Sequence, residues 1–192
     1  MIKNKNNKKL RTRSDKELSK QMEGLIVLKK VLQSTLDEWF LSGGTLLGAY
    51  RDGDFIPWDW DVEVTVLTEE AREKESELLN NLVDAGFLIT LGWGTEYEIL
   101  GRYLRESDAS RVRAMTKVPA HLFKKSEMIS FRNHKFPAPS PVSQFLESLY
   151  GNWKIPLKSV DKKSYFSKDA FLKKKSRLDK KIIIKIGKLI CP

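Results

Sequence analysis

Three carboxylates, Asp59, Asp61 and Glu63, alternate with apolar residues in the stretch Trp58–Val64, WDWDVEV. On an extended chain alternate side chains share a face, so the acids would gather on one side. Trp58, Trp60, Val62 and Val64 would then pack on the other. Acidic residues are disfavoured in strands, and like charges two residues apart raise one another's pKa. A divalent cation removes that penalty, and hard oxygen donors in such an array suit Mg2+ or Mn2+. The residues alone leave a second reading open, a solvated strand edge whose acids pair with nearby Lys or Arg.

A second feature precedes the acids. Gly43, Gly44 and Thr45 open the run GGTLLGAY, which follows the apolar EWFLS. Free backbone N–H groups where a strand turns into a helix can hold an anion, and glycine lets a phosphate approach the main chain closely. A tight turn that needs glycine only for its dihedral angles is the plainer alternative. No Gly-Lys-Ser/Thr follows and no G-x-G-x-x-G spacing is present, so neither a Walker A loop nor a dinucleotide fingerprint fits. Arg51 has two readings of equal standing, a phosphate partner or a salt bridge to Asp52 or Asp54.

The elements that must position these residues can be read from periodicity. Leu18, Met22, Leu25, Ile26, Leu28, Val31, Leu32 and Leu36 recur at helical spacing from Asp15 onward, with Ser14 and Glu17 at capping-box offset. EWFLSG reads as a short strand and TLLGAY as one or two helical turns closed by RDGD. WDWDVEVTVL reads as a second strand and TEEAREKESELLNNLVDAG as one amphipathic helix. FLITLGWG, EYEILGRYL, roughly residues 112–123, and EMISFRN follow as strands. SPVSQFLESLYG is a short helix with Pro141 at its first turn. This order predicts an α+β domain rather than a regular βαβ series.

Composition bounds the rest. The chain has 192 residues and a formal charge of +10, with one cysteine, Cys191. That length suits one domain, and no disulfide framework can form within the chain. A cytoplasmic setting is the default expectation. The charge divides unevenly: residues 1–30 hold ten Lys/Arg against three acids, and residues 151–192 thirteen against three. The 31–150 body is therefore acidic. Nucleic-acid binding is not expected, because its basic residues would stand beside aromatics in the folded body. Residues 1–14 read as a disordered basic leader, 15–157 as the domain, and 158–192 as a basic amphipathic helical tail suited to an anionic membrane face. His121 and His134 have no partner at zinc spacing.

The stretch LSGGTLLGAYRDGDFIPWDWDVEV resembles the signature of the LicD family of fukutin-type phosphotransferases. KFPAPSPVSQFLESLYGNWKIP is similar to that family's closing pattern. The resemblance implies a nucleotidyltransferase-like fold of the polymerase-beta superfamily, a mixed sheet flanked by helices. It implies transfer of a phospho-alcohol or phospho-sugar group from a CDP-linked donor to a surface or lipid-linked glycan. By the same resemblance Gly43, Gly44 and Thr45 would contact donor phosphates, and Asp59, Asp61 and Glu63 would be catalytic ligands of Mg2+ or Mn2+. Glu63 departs from the family's usual aspartate. A third carboxylate from a later strand would be Glu96, Glu98, Glu106 or Asp108. The competing classes are a nucleotidyltransferase that releases pyrophosphate and an inactive binding protein of the same fold.

Overall fold

A computed structural model of the chain describes residues 11–66, 68–91, 97–100, 120–159, 162–167 and 182–186. Helix α1 spans Asp15–Thr35, and its capping box forms as the sequence predicts: Ser14 Oγ accepts from Glu17 N–H, and Glu17 accepts from Ser14 N–H. Its buried residues, Leu18, Gln21, Met22, Leu25, Leu28, Val31, Leu32 and Thr35, form one stripe. Gln21 is the polar exception in that stripe.

Strand β1 (Trp39–Leu41) leads into helix α2 (Gly43–Arg51), and strand β2 (Val62–Val66) follows. Helices α3 (Thr68–Glu73) and α4 (Glu75–Asp84) replace the single helix expected there, with the break at Lys74. Strands β3 (Leu88–Leu91) and β4 (Tyr97–Leu100) come next. Ala120–Phe123 forms a 3-10 turn, which corrects the end of the strand expected at 112–123; the rest of that expectation lies outside the described residues. Strands β5 (Ser126–Phe131) and β6 (His134–Pro139) form a hairpin, and helices α5 (Val142–Tyr150) and α6 (Lys162–Tyr165) and strand β7 (Ile182–Ile186) complete the chain.

The larger sheet has the order β1-β2-β7-β4-β3, antiparallel except for the parallel β4–β7 pair. The architecture is therefore α+β, with a mixed sheet. Strand β6 is absent from the sequence reading because Pro137 and Pro139 lie within it. Proline is tolerated at the edge of a two-stranded sheet, where its missing N–H breaks no central ladder. At the turn between β5 and β6, Arg132 and Asn133 both take positive φ, 44° and 65°.

Two segment boundaries need correction. Arg13 is buried, and its backbone N–H donates to Pro57 O at 2.9 Å, so the end of the expected leader is part of the folded body. Residues 182–186, expected in a helical tail, form a strand between β2 and β4. The run of isoleucines there has the β-branched character that a pleated ladder favours. Among the described residues no helix is long and apolar enough to cross a membrane.

Candidate active site at the glycine turn

The β1–β2 register builds the site. Leu41 pairs with Val64, so the chain leaves the sheet level with Glu63, and Ser42 N–H donates to Glu63 O at 3.0 Å. Gly43 then adopts φ 54°, where a side chain would be strained, and α2 begins. The Gly44 N–H at the start of that helix donates to Glu63 Oε2 at 2.9 Å. A Cβ on Gly43 would overlap the Glu63 carboxylate, and one on Gly44 would overlap Asp59 Oδ2 and stand 3.0 Å from Asp59 Cγ. Both glycines are therefore required by the acids themselves. Gly48, a turn later, makes room for backbone instead: a Cβ there would meet Asp54 O at 2.5 Å and Ile56 N at 2.9 Å.

The alternating strand expected for the acids is realised only in part. Glu63 lies on β2, whereas Asp59 and Asp61 precede it in irregular backbone. Asp59 N–H closes a turn on Ile56 O at 2.9 Å, which takes this stretch out of the ladder. The three acids nevertheless converge electrostatically. Burial raises the Asp59 carboxyl well above its usual range, and the charge of Asp61, a hydrogen bond with Asp61 and the charge of Glu63 raise it further, while Arg13 opposes them. Two acids this close, one of them desolvated, favour a proton or a cation shared between them. Among the described residues no three His, Cys, Asp or Glu side chains already stand as a metal cage. The donor chemistry, oxygen only and acidic, is that of a hard divalent cation.

Other expected site residues are placed as follows. Thr45 is buried, and its Oγ1 accepts from Glu63 N–H at 2.8 Å, which ties the start of α2 to β2. Arg51 is held by Asp52 through bonds of 2.8 and 2.6 Å and donates to Trp153 O at 3.3 Å, so the salt-bridge reading describes it. Asp54 instead pairs with Arg132 at 2.5 and 2.9 Å. Trp58 and Trp60 are half-buried rather than core. His121 and His134 are both exposed. Of the later carboxylates, Glu98 is on β4 in register with Lys185 of β7, which is in register with Glu63. Glu96, Glu106 and Asp108 lie outside the described residues.

Three neighbours of the acids are not among the expected site residues. Arg13 Nη2 donates to Ile56 O at 3.0 Å and to Asp59 O, and its Nη1 donates to Gln21 Oε1. Gln21 Nε2 donates to Asp61 O at 3.0 Å. The only sequence signal for Gln21 is a polar residue within the apolar stripe of α1. Tyr150, at the end of α5, is the third. Burial pushes its phenol well above the usual tyrosine range, and the charges of Glu63, Asp59, Tyr165 and Asp61 add to that. Its ring stacks on Phe166, with centroids 5.1 Å apart.

Comparison with known proteins bears on the same stretch. Residues 37–114 match the family described as LicD/FKTN/FKRP, nucleotidyltransferase domain. This segment is of LicD type. A 45-residue stretch is 48% identical to ribitol 5-phosphate transferase FKRP of Mus musculus, and equally to that of Homo sapiens. The match covers 23% of this chain but 9% of either relative. The LicD segment contains the glycine turn and all three acids. Arg13, Gln21 and Tyr150 lie beyond its ends, as does the KFPAPSPVSQFLESLYGNWKIP stretch.

Proposed function

We propose that the protein is a phosphotransferase with a nucleotidyltransferase-like fold that modifies a glycan, moving a phospho-alcohol or phospho-sugar group from a CDP-linked donor to an acceptor hydroxyl. The observation that carries this reading is the placement of Glu63 and Asp59 against the Gly43–Gly44 turn at the start of α2, with Asp61 beside Asp59. The LicD-type match and the similarity of part of the chain to a ribitol 5-phosphate transferase support the same class.

The turn is built to hold an anion, and Glu63 occupies Gly44 N–H. In the proposed reaction a donor phosphate takes that amide, with Gly43 and Gly44 bare of side chains to admit it. Glu63 then turns to join Asp59 and Asp61. Mg2+ or Mn2+ held by these three carboxylates would neutralise donor phosphate oxygens as a Lewis acid. The acceptor oxygen forms a bond to the phosphorus nearer the transferred group, and the bond to cytidine monophosphate breaks. The proton of the acceptor hydroxyl passes to a carboxylate of the site. Thr45 holds the strand that carries Glu63, and Arg51 ties α2 to the Trp153 loop.

A thermal-shift screen with Mg2+ across CDP-choline, CDP-ribitol, CDP-glycerol and nucleoside triphosphates tests the reading. Stabilisation by a CDP-alcohol, followed by release of cytidine monophosphate in the presence of acceptor, is expected. Release of pyrophosphate from a triphosphate would establish the nucleotidyltransferase class instead, and no metal-dependent nucleotide binding would argue for a catalytically inactive protein of the same fold. The acceptor we propose is a surface or lipid-linked glycan, with the basic C-terminal region near an anionic inner membrane face.

A further inference from the structure

The Asp59–Asp61 stretch has a structural problem that the LicD segment does not solve by itself. It precedes β2 and lies outside the strand ladder, yet it carries two of the three acids. Carbonyl groups in such a stretch need partners, or the backbone will not hold one shape. Here those partners are side chains of the α1 region. Arg13 Nη2 serves Ile56 O and Asp59 O, its Nε approaches Pro57 O at 3.4 Å, and its backbone N–H donates to the same oxygen. Gln21 accepts from Arg13 Nη1 and donates to Asp61 O. The two side chains thus form one hydrogen-bonded chain that spans the backbone from residue 56 to residue 61.

We infer that Arg13, relayed through Gln21, is the positioning residue of the acidic site: a guanidinium clamp that sets the Asp59–Asp61 backbone and so holds the Asp59 carboxylate against the glycine turn with Asp61 beside it. The inference rests on the reading of that cluster as the cation site. Arg13 and Gln21 are 7% and 4% exposed, so water does not compete for these bonds. The guanidinium also lies 5.4 Å from the Trp60 ring centroid and 6.0 Å from that of Phe55, which fixes its plane. A lysine could not replace it. One ammonium has three donors on a point charge, whereas the planar fork reaches several oxygens on different sides. Residue 13 stands well before the start of the family match at residue 37, so the site extends beyond the segment that resembles known transferases.

The test uses the full chain and Mn2+ alone as probe, read by electron paramagnetic resonance, with circular dichroism confirming that each variant is folded at the assay temperature. Arg13→Lys keeps the charge and loses the fork, and should weaken Mn2+ binding about ten-fold or more, the range seen when outer partners of metal ligands are removed. Gln21→Met removes the relay to Asp61 O and should weaken it by a smaller factor. The double variant should be no weaker than Arg13→Lys, because both act through one chain of bonds. A merely structural role would lower the denaturation midpoint and leave the Mn2+ affinity of the folded protein unchanged. Folded Arg13→Lys with wild-type affinity overturns the inference; should that variant not fold, wild-type affinity in Gln21→Met overturns it equally. Wild-type protein that binds no Mn2+ overturns the cation site itself, and this inference with it.

Discussion

Gly44→Ala separates the stability of the fold from the geometry of the site. Gly44 is in the first turn of α2, where alanine ordinarily stabilises a helix by about 1 kcal/mol over glycine. At this position the added Cβ would overlap Asp59 Oδ2 and stand 3.0 Å from Asp59 Cγ. Ordinary contact needs well over 3.0 Å and the overlap with Oδ2 is the more severe of the two, so the carboxylate must move by more than about 1 Å. The propensity gain offsets part of that displacement, and net stability should change by less than about 1 kcal/mol. A displacement of that size at a reacting centre costs about 100-fold in turnover, or about 2.7 kcal/mol. Gly53→Ala is the matching control. Gly53 has φ 69° and a Cβ there would meet nothing within 4 Å, so the change should cost about 1–2 kcal/mol of backbone strain and leave the site intact. Urea denaturation and Mn2+ titration of both variants give opposite expected patterns: Gly44→Ala stable with weakened Mn2+ binding, Gly53→Ala destabilised with wild-type binding. Wild-type Mn2+ affinity in Gly44→Ala, or equal weakening in both, would refute the assignment of Asp59 to the cation site.

Asp61→Asn should abolish transfer while leaving the far-ultraviolet circular dichroism spectrum unchanged; retained turnover with a CDP-alcohol would remove the cation mechanism. Thr45→Val takes the acceptor from Glu63 N–H inside the protein and should cost about 1–3 kcal/mol in urea denaturation, with less than about 0.5 kcal/mol excluding the proposed brace. Glu17 is held at a pKa of about 2 by its hydrogen bond with Arg11, against partial desolvation, with help from Ser14. Its folded pKa is below the ordinary 4.5, so its contribution is complete above that pH and fades as pH falls towards 2. Glu17→Gln should therefore lose about 1 kcal/mol or less at neutral pH and flatten acid denaturation over that window. An unchanged acid limb would show that the capping box contributes nothing.

What the amino-acid sequence determined by itself was local. The stripe on α1, the Ser14–Glu17 cap, the glycine turn after EWFLS and the short helix behind Pro141 all appear where periodicity and turn chemistry put them. The spacing of Asp59, Asp61 and Glu63 also marked the candidate site, because three acids beside two glycines serve no packing need. Tertiary structure decided how those parts meet. Period-two alternation placed all three acids on a strand, but the side chains of Arg13 and Gln21 take the backbone groups of the first two. No local pattern can announce a bond across forty residues or more. The partners of Thr45 and Arg51 were hidden for the same reason: what they touch within the chain is set by β2 and by the Trp153 loop. The isoleucine run in the tail has an apolar pattern that suits either a helix or a strand. Only the open edges of β2 and β4 select the strand, since their unpaired backbone groups give β7 a ladder on both sides.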